Sequence, residues 1–245
     1  MSVAIIIPTK NRPQFLARQL AYYSEVGCDG TIFVGDSSDG QYVESTPQVV
    51  SKFAGRTKIE HFPLPDLNAN NAIKKIAQRV EDPYVVLASD DDFLIPGTLA
   101  DCAEFLDSNP DYSSAGGIGL SFAVAQDWSI GEFVRTKLEP QRPSEDTNGR
   151  LRLLEFLSSS WPTRFCVQRT AEFRDAAAFA ASPPDKEFRQ LLASCIPIIR
   201  GKSKQLGRLF SLRQAHIQYY PMAYACDWIT DPEWFESYDY ALENI

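Results

Sequence analysis

The sequence holds few of the residues on which several common enzyme classes depend. Its 245 residues include only two histidines, His61 and His216, and five widely spaced cysteines that never form a Cys-x-x-Cys pair. Zinc hydrolases and most Ser-His-Asp hydrolases need histidines as ligands or bases, so the sequence argues against both classes. We expect the cysteines to be reduced and mostly buried thiols.

Long apolar runs and an excess of positive charge are also missing. No uninterrupted apolar stretch approaches the roughly 20 residues that cross a bilayer, so no membrane span is expected. The first residues, Met1 to Pro8, lack the basic segment of a signal peptide, and we expect a cytoplasmic protein. The net charge is −8, and lysines and arginines form no basic domain of the kind that binds nucleic acid, so no nucleic-acid partner is expected.

What the sequence does contain is enough apolar surface for one generous core, since 44% of its residues are hydrophobic. The first 125 residues alternate between strand and helix patterns. Apolar, mostly β-branched runs that predict buried strands alternate with segments of helical spacing. The strands are predicted at 3–7, 30–34, 58–62, 84–88 and 112–125, and the helices at 14–23, 70–80 and 98–106. This alternation predicts an α/β fold built from βαβ units.

The second half is less regular, but no linker divides the chain. We predict a loop or hairpin at 126–147, followed by helices at 150–158, 171–181 and 186–196 and short strands at 164–167 and 208–212. We therefore predict a single domain over residues 1–226. An acidic, aromatic C-terminal tail, 227–245, follows it.

Charge is unevenly distributed along the chain. Residues 1–134 carry 9 basic and 18 acidic side chains, and residues 135–226 carry 15 basic and 8 acidic ones. The tail has no basic side chain and 6 acidic ones. Four basic residues fall within nine positions of the basic middle, at Arg200, Lys202, Lys204 and Arg208. This patch suits anionic lipid headgroups or an anionic acceptor, or it is an ordinary solvated face. The tail either packs on the basic middle or docks a partner.

Polar residues follow three of the predicted strands, at 8–12, 36–40 and 89–92. Ligands of open α/β sheets bind at the carboxyl ends of the strands, so these segments are candidates for a site. Three successive carboxylates, Asp90 to Asp92, are costly after a buried strand unless a cation lies among them, and Mg²⁺ or Mn²⁺ suits such ligands. The alternative is a solvated helix N-cap.

Three blocks of sequence, 3–13, 34–40 and 85–92 with Pro96 and Leu99 following, resemble family 2 glycosyltransferases of the GT-A fold. In that family a nucleotide-sugar and a divalent metal bind at the edge of such a sheet. The resemblance implies a twisted, mostly parallel sheet with helices on both faces. It implies that residues 1–226 are a single catalytic domain, with a nucleotide-binding half at 1–125 and an acceptor half at 126–226. It also implies Mn²⁺ or Mg²⁺ as cofactor.

The same resemblance assigns roles to individual positions. The nucleotide-binding residues it implies are Pro8, Thr9, Asn11, Arg12, Asp36, Asn70, Asp90 and Asp91. The implied metal ligands are Asp90, Asp91, Asp92 and His216, of which His216 lies in the segment that closes over the diphosphate. The sequence departs from the family at Ser89, where the first Asp of the usual Asp-x-Asp-Asp is expected, and at Ala69, where a basic residue is common.

A base must deprotonate the acceptor hydroxyl, and in this family it is a late acidic residue near a helix start. Asp185 is the first candidate and Glu187 the second. The alternative is an ordinary helix cap with a glutamate in the first turn. We expect His61 to be structural.

The resemblance therefore implies inverting transfer of a sugar from a nucleotide-diphosphate donor to a hydroxyl acceptor, in surface polysaccharide or glycan synthesis. The acceptor would be a glycan, a lipid-linked sugar or a small molecule, with peripheral contact at the inner face of the membrane. Two alternatives remain: a sugar-phosphate nucleotidyltransferase, although Pro8 to Asn11 contains no glycine, and a catalytically silent nucleotide-binding homologue.

Overall fold

The structure is a computed structural model that describes residues 2–139, 141–158, 163–216 and 231–244. Its strands are β1 (Val3–Thr9), β2 (Ile32–Asp36), β3 (Ile59–Pro63), β4 (Tyr84–Leu87), β5 (Phe93–Leu94), β6 (Tyr112–Val124), β7 (Phe133–Glu139), β8 (Val167–Arg169) and β9 (Lys202–Gln214). Its helices are α1 (Pro13–Val26), α2 (Ser45–Ser51), α3 (Ala69–Ala77), α4 (Pro96–Ser108), α5 (Gly149–Ser158), α6 (Thr170–Ala180), α7 (Lys186–Arg200) and α8 (Pro232–Asn244).

The described strands form a single sheet in the order β3-β2-β1-β4-β8-β6-β9-β5, with β7 pairing on β6. The first four strands in this order are parallel to one another. Antiparallel pairing begins between β4 and β8 and continues in the other half, where β6 and β9 also pair in parallel. The carboxyl ends of β1, β2 and β4 therefore lie at one edge, and the register places Thr9 opposite Asp36.

Alternate residues of the central strands are buried against helices on opposite faces of the sheet. Ile5 and Ile7 belong to a core that includes residues of α1 and α4, whereas Ala4 and Ile6 belong to a core that includes residues of α3 and α6. Each fully buried Ile contributes about 1.5–3 kcal/mol through the hydrophobic effect. The predicted α/β sheet with helices on both faces is confirmed.

Strand β9 is much longer than the predicted 208–212. Its sequence mixes lysine, arginine and glutamine with few apolar residues, which hides the strand pattern. Glycine permits its close pairing with β6, because a Cβ on Gly117 would lie 2.4 Å from the carbonyl oxygen of Arg208. The extra length carries Arg213 and Gln214 to the edge where β4 ends.

The described part of the tail is the helix α8. Trp234, Tyr240 and Ala241 of this helix pack against a cluster that includes Phe188 and Leu192 of α7. The described part of the tail therefore packs on α7 through apolar side chains. Residues 217–230, which include the start of the predicted tail, lie outside the described residues.

Two expectations from composition can be compared with the structure. Cys28, Cys102, Cys166 and Cys195 are free thiols, of which all but Cys28 are buried, and Cys226 lies outside the described residues. No described helix has the length and apolar character needed to span a bilayer.

Candidate active site

The loop after β4 is held in place by a side chain of α1. Gln19 is fully buried, and its Nε2 donates to the carbonyl oxygens of Ser89 (2.8 Å) and Asp92 (2.6 Å). These two bonds bracket the loop and satisfy backbone acceptors that burial would otherwise leave costly. Asp90 and Asp91 are thereby presented between the ends of β1 and β9.

Asp90 and Asp91 share one guanidinium. Arg12 donates from Nη1 to Asp90 Oδ1 and from Nη2 to Asp91 Oδ2, each at 2.8 Å. The hydroxyl of Thr9, at the end of β1, donates to the other oxygen of Asp90 at 2.6 Å. Both carboxylates are buried, so charge-assisted bonds of this kind are needed to keep them there.

His216 completes this group from the far end of the chain. Its Nε2 lies 2.7 Å from Asp91 Oδ2 and 3.3 Å from Arg12 Nη2. The ring of Phe15 packs edge-on against His216 at 5.9 Å and lies under the Arg12 guanidinium at 4.0 Å. The structure therefore brings together five of the predicted site residues, Thr9, Arg12, Asp90, Asp91 and His216.

Asp92 is turned toward β9 instead. Its Oδ1 accepts from the backbone N–H of Gln214 at 3.1 Å, and its Oδ2 lies 3.4 Å from Nε of Arg213. Arg18 also links the loop after β4 to the end of β9. Its Nη2 donates to the carbonyl oxygen of Asp91 (3.0 Å) and to Gln214 Oε1 (2.7 Å). Asp92 thus ties the end of β9 to the loop.

Burial and neighbouring cations set the pKa values of the three carboxyls in different directions. Burial raises the pKa of Asp90 to about 6 and that of Asp92 to about 7, with Arg12 and Arg213 opposing the rise. Burial also acts to raise the pKa of Asp91, but hydrogen bonds from His216 and Arg12 outweigh it and hold that pKa below its ordinary value. Asp91 is therefore the carboxyl that keeps its negative charge most firmly.

The donor types around Asp91 suit a divalent cation, because a carboxylate oxygen and an imidazole nitrogen lie side by side there, 2.7 Å apart. As they stand these atoms are engaged with Arg12. Among the described residues, no three Asp, Glu, His or Cys side chains are arranged to hold a metal ion by themselves. The assignment of Asp90, Asp91, Asp92 and His216 as ligands stays a prediction.

Asp36 lies at the end of β2, beside Thr9. It is buried, and its carboxylate accepts from the backbone N–H of Ser38 at 2.9 Å and lies 3.2 Å from Nε2 of His61. Burial acts to raise its pKa, but the bonds from His61 and Ser38 outweigh it and hold the pKa below the ordinary value. His61, which the sequence suggested is structural, is thus the partner of a predicted nucleotide-binding residue.

Asn11 joins the first two loops. Its backbone has φ of +58°, a left-handed conformation that asparagine tolerates better than most residues. Its N–H donates to the hydroxyl of Ser38 at 2.9 Å, and its side-chain amide exchanges hydrogen bonds with Asp39 at 2.8 and 2.9 Å. Asn11 therefore positions Arg12 relative to the end of β2.

A cleft of about 360 Å³ opens beside this edge. Its lining includes the predicted residues Pro8 and Asn70, with Ser89 at the start of the carboxylate loop and Lys186 and Arg189 from α7. Pro8 and Asn70 therefore face a common space with two basic residues. The sequence patterns did not single out either basic residue, because both lie on a helix whose distance from β1 only the fold sets.

Asp185 is the N-cap of α7. Its Oδ1 accepts from the backbone N–H of Phe188 at 2.7 Å, and its own N–H donates to the hydroxyl of Ser237 in α8 at 2.9 Å. Glu187 is exposed in the first turn. The cap geometry of the alternative interpretation is present, and the role of either residue as base stays a prediction.

The basic patch on β9 and its neighbours is paired with acids. The four pairs are Arg200–Asp175 (3.1 Å), Lys202–Asp111 (2.7 Å), Lys204–Glu145 (2.8 Å) and Arg208–Asp101. These contacts favour the solvated-face interpretation over a surface for anionic lipid. Contact with a membrane face stays an untested prediction.

The sequence matches the family described as Glycosyl transferase family 2 over residues 4–169. This match covers about two thirds of the chain, from β1 to β8, and includes both carboxylate segments. The chain belongs to glycosyl transferase family 2. Among curated proteins no sequence matches it.

Solved structures share the fold of this family 2 chain at low identity. The crystal structure of S. aureus TarS 1–349 in complex with UDP has a TM-score of 0.59 at 18% identity and covers 88% of this chain and 61% of that one. The same protein in complex with UDP-GlcNAc has a TM-score of 0.55 at 18% identity, and the match covers 88% of this chain and 59% of that one. The mannosyltransferase PcManGT from Pyrobaculum calidifontis, in complex with GDP-Man and Mn²⁺, gives 0.51 at 12%, covering 99% and 64%. The chain thus covers about three fifths of the length of each of these solved chains. The predicted GT-A fold is confirmed.

Proposed function

We propose that this chain transfers a sugar from a nucleoside-diphosphate donor to a hydroxyl acceptor. The observation that carries the proposal is the buried Asp90–Asp91 pair, gathered with Arg12 and His216 at the carboxyl ends of parallel strands and beside an open cleft. Buried charges of both signs at the ligand-binding edge of an α/β sheet are expensive to keep, and they are characteristic of functional sites.

The donor would lie across this edge. Asp36, whose charge is held by His61 and Ser38, would accept hydrogen bonds from the ribose or the base. Pro8, Thr9 and Asn11 would line the pocket around the nucleoside. Lys186 lines the cleft. Lys186 and Arg12 would face the diphosphate, since ammonium and guanidinium groups are strong phosphate donors.

Asp91 and His216 are the predicted ligands that lie together, and they would hold Mn²⁺ or Mg²⁺. Asp90 and Asp92 would support them, Asp90 through Arg12 and Asp92 by fixing the end of β9. When bound, the cation would offset the charge that develops on the departing diphosphate.

The acceptor hydroxyl would attack the anomeric carbon while Asp185 takes its proton. One oxygen of Asp185 is occupied by the Phe188 N–H, and no hydrogen bond from the described residues reaches the other. That oxygen is the one we assign to the proton, with Glu187 as the second candidate. A single displacement of this kind inverts the anomeric configuration.

The donors of the related structures suggest which compounds to test first. Incubation with UDP-GlcNAc, GDP-Man and other nucleotide-sugars, with Mn²⁺ and a panel of glycan and small-molecule acceptors, should release the nucleoside diphosphate together with a glycosylated product. Release of pyrophosphate from a nucleoside triphosphate and a sugar phosphate would indicate a nucleotidyltransferase instead. Nucleotide binding without turnover under any acceptor would indicate a silent homologue.

The role of the base has a separate test. Asp185→Asn keeps an oxygen for the Phe188 N–H, so the cap and the fold should survive while kcat falls by about 100-fold or more and donor binding stays unchanged. Glu187→Gln, two residues away in the first turn of the same helix, is the matched comparison. A near-normal rate for Asp185→Asn with a large loss for Glu187→Gln would move the assignment to Glu187.

A further inference from the structure

Arg12 lies among three of the four predicted metal ligands, Asp90, Asp91 and His216. Its two Nη atoms bridge Asp90 and Asp91 at 2.8 Å each, and one of them lies 3.3 Å from His216 Nε2. The same Asp91 oxygen is also within 2.7 Å of His216. A divalent cation bound to Asp91 and His216 would therefore meet the guanidinium within contact distance, and two positive charges so close in a buried site repel each other strongly.

The two arginines near this loop differ in how firmly they are held. Arg18 donates to the carbonyl oxygens of Ser129 and Asp91 and to Gln214, so it is part of the backbone scaffold. Arg12 donates to carboxylates, and its side chain is 32% exposed, whereas the side chains of Asp90 and Asp91 are 4% and 9% exposed. The two carboxylates are therefore buried, whereas the Arg12 guanidinium between them borders solvent.

Arg12 also stands immediately before α1, on the ring of Phe15 at 4.0 Å. That stacking holds the planar guanidinium without using its donors. The side chain can therefore leave the carboxylates and still keep one of its contacts, which lowers the cost of its departure.

We propose that Arg12 is an exchangeable counter-ion, which competes with the divalent cation for Asp91 and must leave it before the cation can bind Asp91 and His216. In the free protein Arg12 neutralises the two carboxylates, and this keeps metal affinity low. A diphosphate that accepts the displaced guanidinium favours the exchange, because a guanidinium fork pairs with phosphate oxygens as it does with carboxylates. The inference rests on the proposed donor site, but it concerns metal binding by the free protein.

The test measures Mn²⁺ binding to the full chain without any nucleotide, from the loss of the free Mn²⁺ signal in electron paramagnetic resonance. Arg12→Gln removes the competing charge and should tighten Mn²⁺ binding by about tenfold or more. Lys10→Gln is the matched control: it removes one positive charge two residues away, at an exposed side chain paired with Asp39 at 3.0 Å, and should leave the affinity within about twofold.

Arg12→Lys is the second variant and protects the test against misfolding. It keeps the positive charge, but an ammonium group cannot bridge both carboxylates with a planar fork, so its Mn²⁺ affinity should fall between those of the wild type and Arg12→Gln. Circular dichroism and thermal unfolding establish that each variant is folded.

Three results would overturn the proposal. They are unchanged or weaker Mn²⁺ binding in folded Arg12→Gln, an equal gain in Lys10→Gln, and the absence of Mn²⁺ binding by every variant. None of them depends on a sugar donor. Failure of the proposed transfer reaction would leave these affinities unaffected, so the two proposals fail separately.

Discussion

Two groups of ion pairs in this chain use the same residue types at different depths. At the carboxyl ends of β1 and β4, Arg12 pairs with Asp90 and Asp91, whose side chains are less than a tenth exposed. Along β9 and its neighbours, basic residues pair with acids such as Asp111 and Asp175, whose side chains are 55% and 67% exposed. The contacts have similar lengths, so distance does not distinguish them.

Burial does distinguish them. Exposed pairs contribute about 0–1 kcal/mol, because water and salt screen them and two long side chains lose freedom. Removing one partner from a buried pair leaves an uncompensated charge, which costs several kcal/mol. The sequence carries more basic residues per position in the β9 patch, yet of the two groups it is the sparser one, at the sheet edge, whose acids are buried.

The largest expected difference between the two groups is in ligand binding. Asp91→Asn removes the carboxyl that Arg12 and His216 share, and we expect nucleotide binding in the presence of Mn²⁺ to weaken by about 100-fold, as measured by titration calorimetry. Asp175→Asn, in the exposed pair with Arg200, should leave that affinity unchanged. Equal effects of the two changes would contradict the assignment of the site.

Stability should show a smaller difference. Arg12→Ala leaves two buried carboxylates without their shared cation, and because Arg12 itself is partly exposed we expect a loss of about 1–3 kcal/mol in the free energy of unfolding. Arg200→Ala is the matched change in an exposed pair and should cost less than about 1 kcal/mol. Urea denaturation of both variants measures these losses, and similar values would show that burial does not separate the groups.

High salt should weaken the exposed ion pairs of the β9 patch and leave the buried group at the sheet edge unchanged. At 1 M salt the screening length is about 3 Å, so exposed pairs lose most of their attraction. The destabilisation caused by Lys204→Gln, which pairs with Glu145, should shrink toward zero between low salt and 1 M NaCl, whereas that caused by Arg12→Ala should persist. Denaturation curves at the two salt concentrations compare them.

The smallest predicted effect concerns pH and Asp36. Its pKa in the folded chain is lowered from the ordinary value, so its carboxylate contributes stability that is present above the unfolded-state pKa of about 3.9 and is lost as the pH falls through the folded value. The stability difference between the wild type and Asp36→Asn should therefore shrink between pH 6 and pH 3. A difference that grows toward acid pH would mean that burial, not the bonds from His61 and Ser38, controls this group.

Much of the fold could be predicted because its signals are local. The apolar runs of β1, β2 and β4 and the helical spacing of α1, α3 and α4 are contained in short segments, and their order alone predicts the βαβ arrangement. The short strand β5, the helix α2 and the full length of β9 were not predicted. Each has few apolar residues or few residues in all. Pairing with distant strands stabilises β5 and β9, and packing against α1 stabilises α2.

The site divides in the same way. Asp36, Asp90 and Asp91 could be named because they follow recognisable strands. Gln19 and Arg18 could not, since their role is to bind backbone atoms of a loop 70 or more positions away. Ser237, which binds the Asp185 N–H from α8, is equally invisible in sequence.

The sequence by itself determined the family, the α/β order and the segments that carry the acidic residues, because each of these is written in neighbouring positions. Only the tertiary structure decided what those acids contact. Arg12 and His216 are 204 positions apart, and no local pattern reports that they meet at Asp91. The strand ends bring these residues together. Because Asp90 and Asp91 are buried there, the guanidinium of Arg12 is needed to offset their charge.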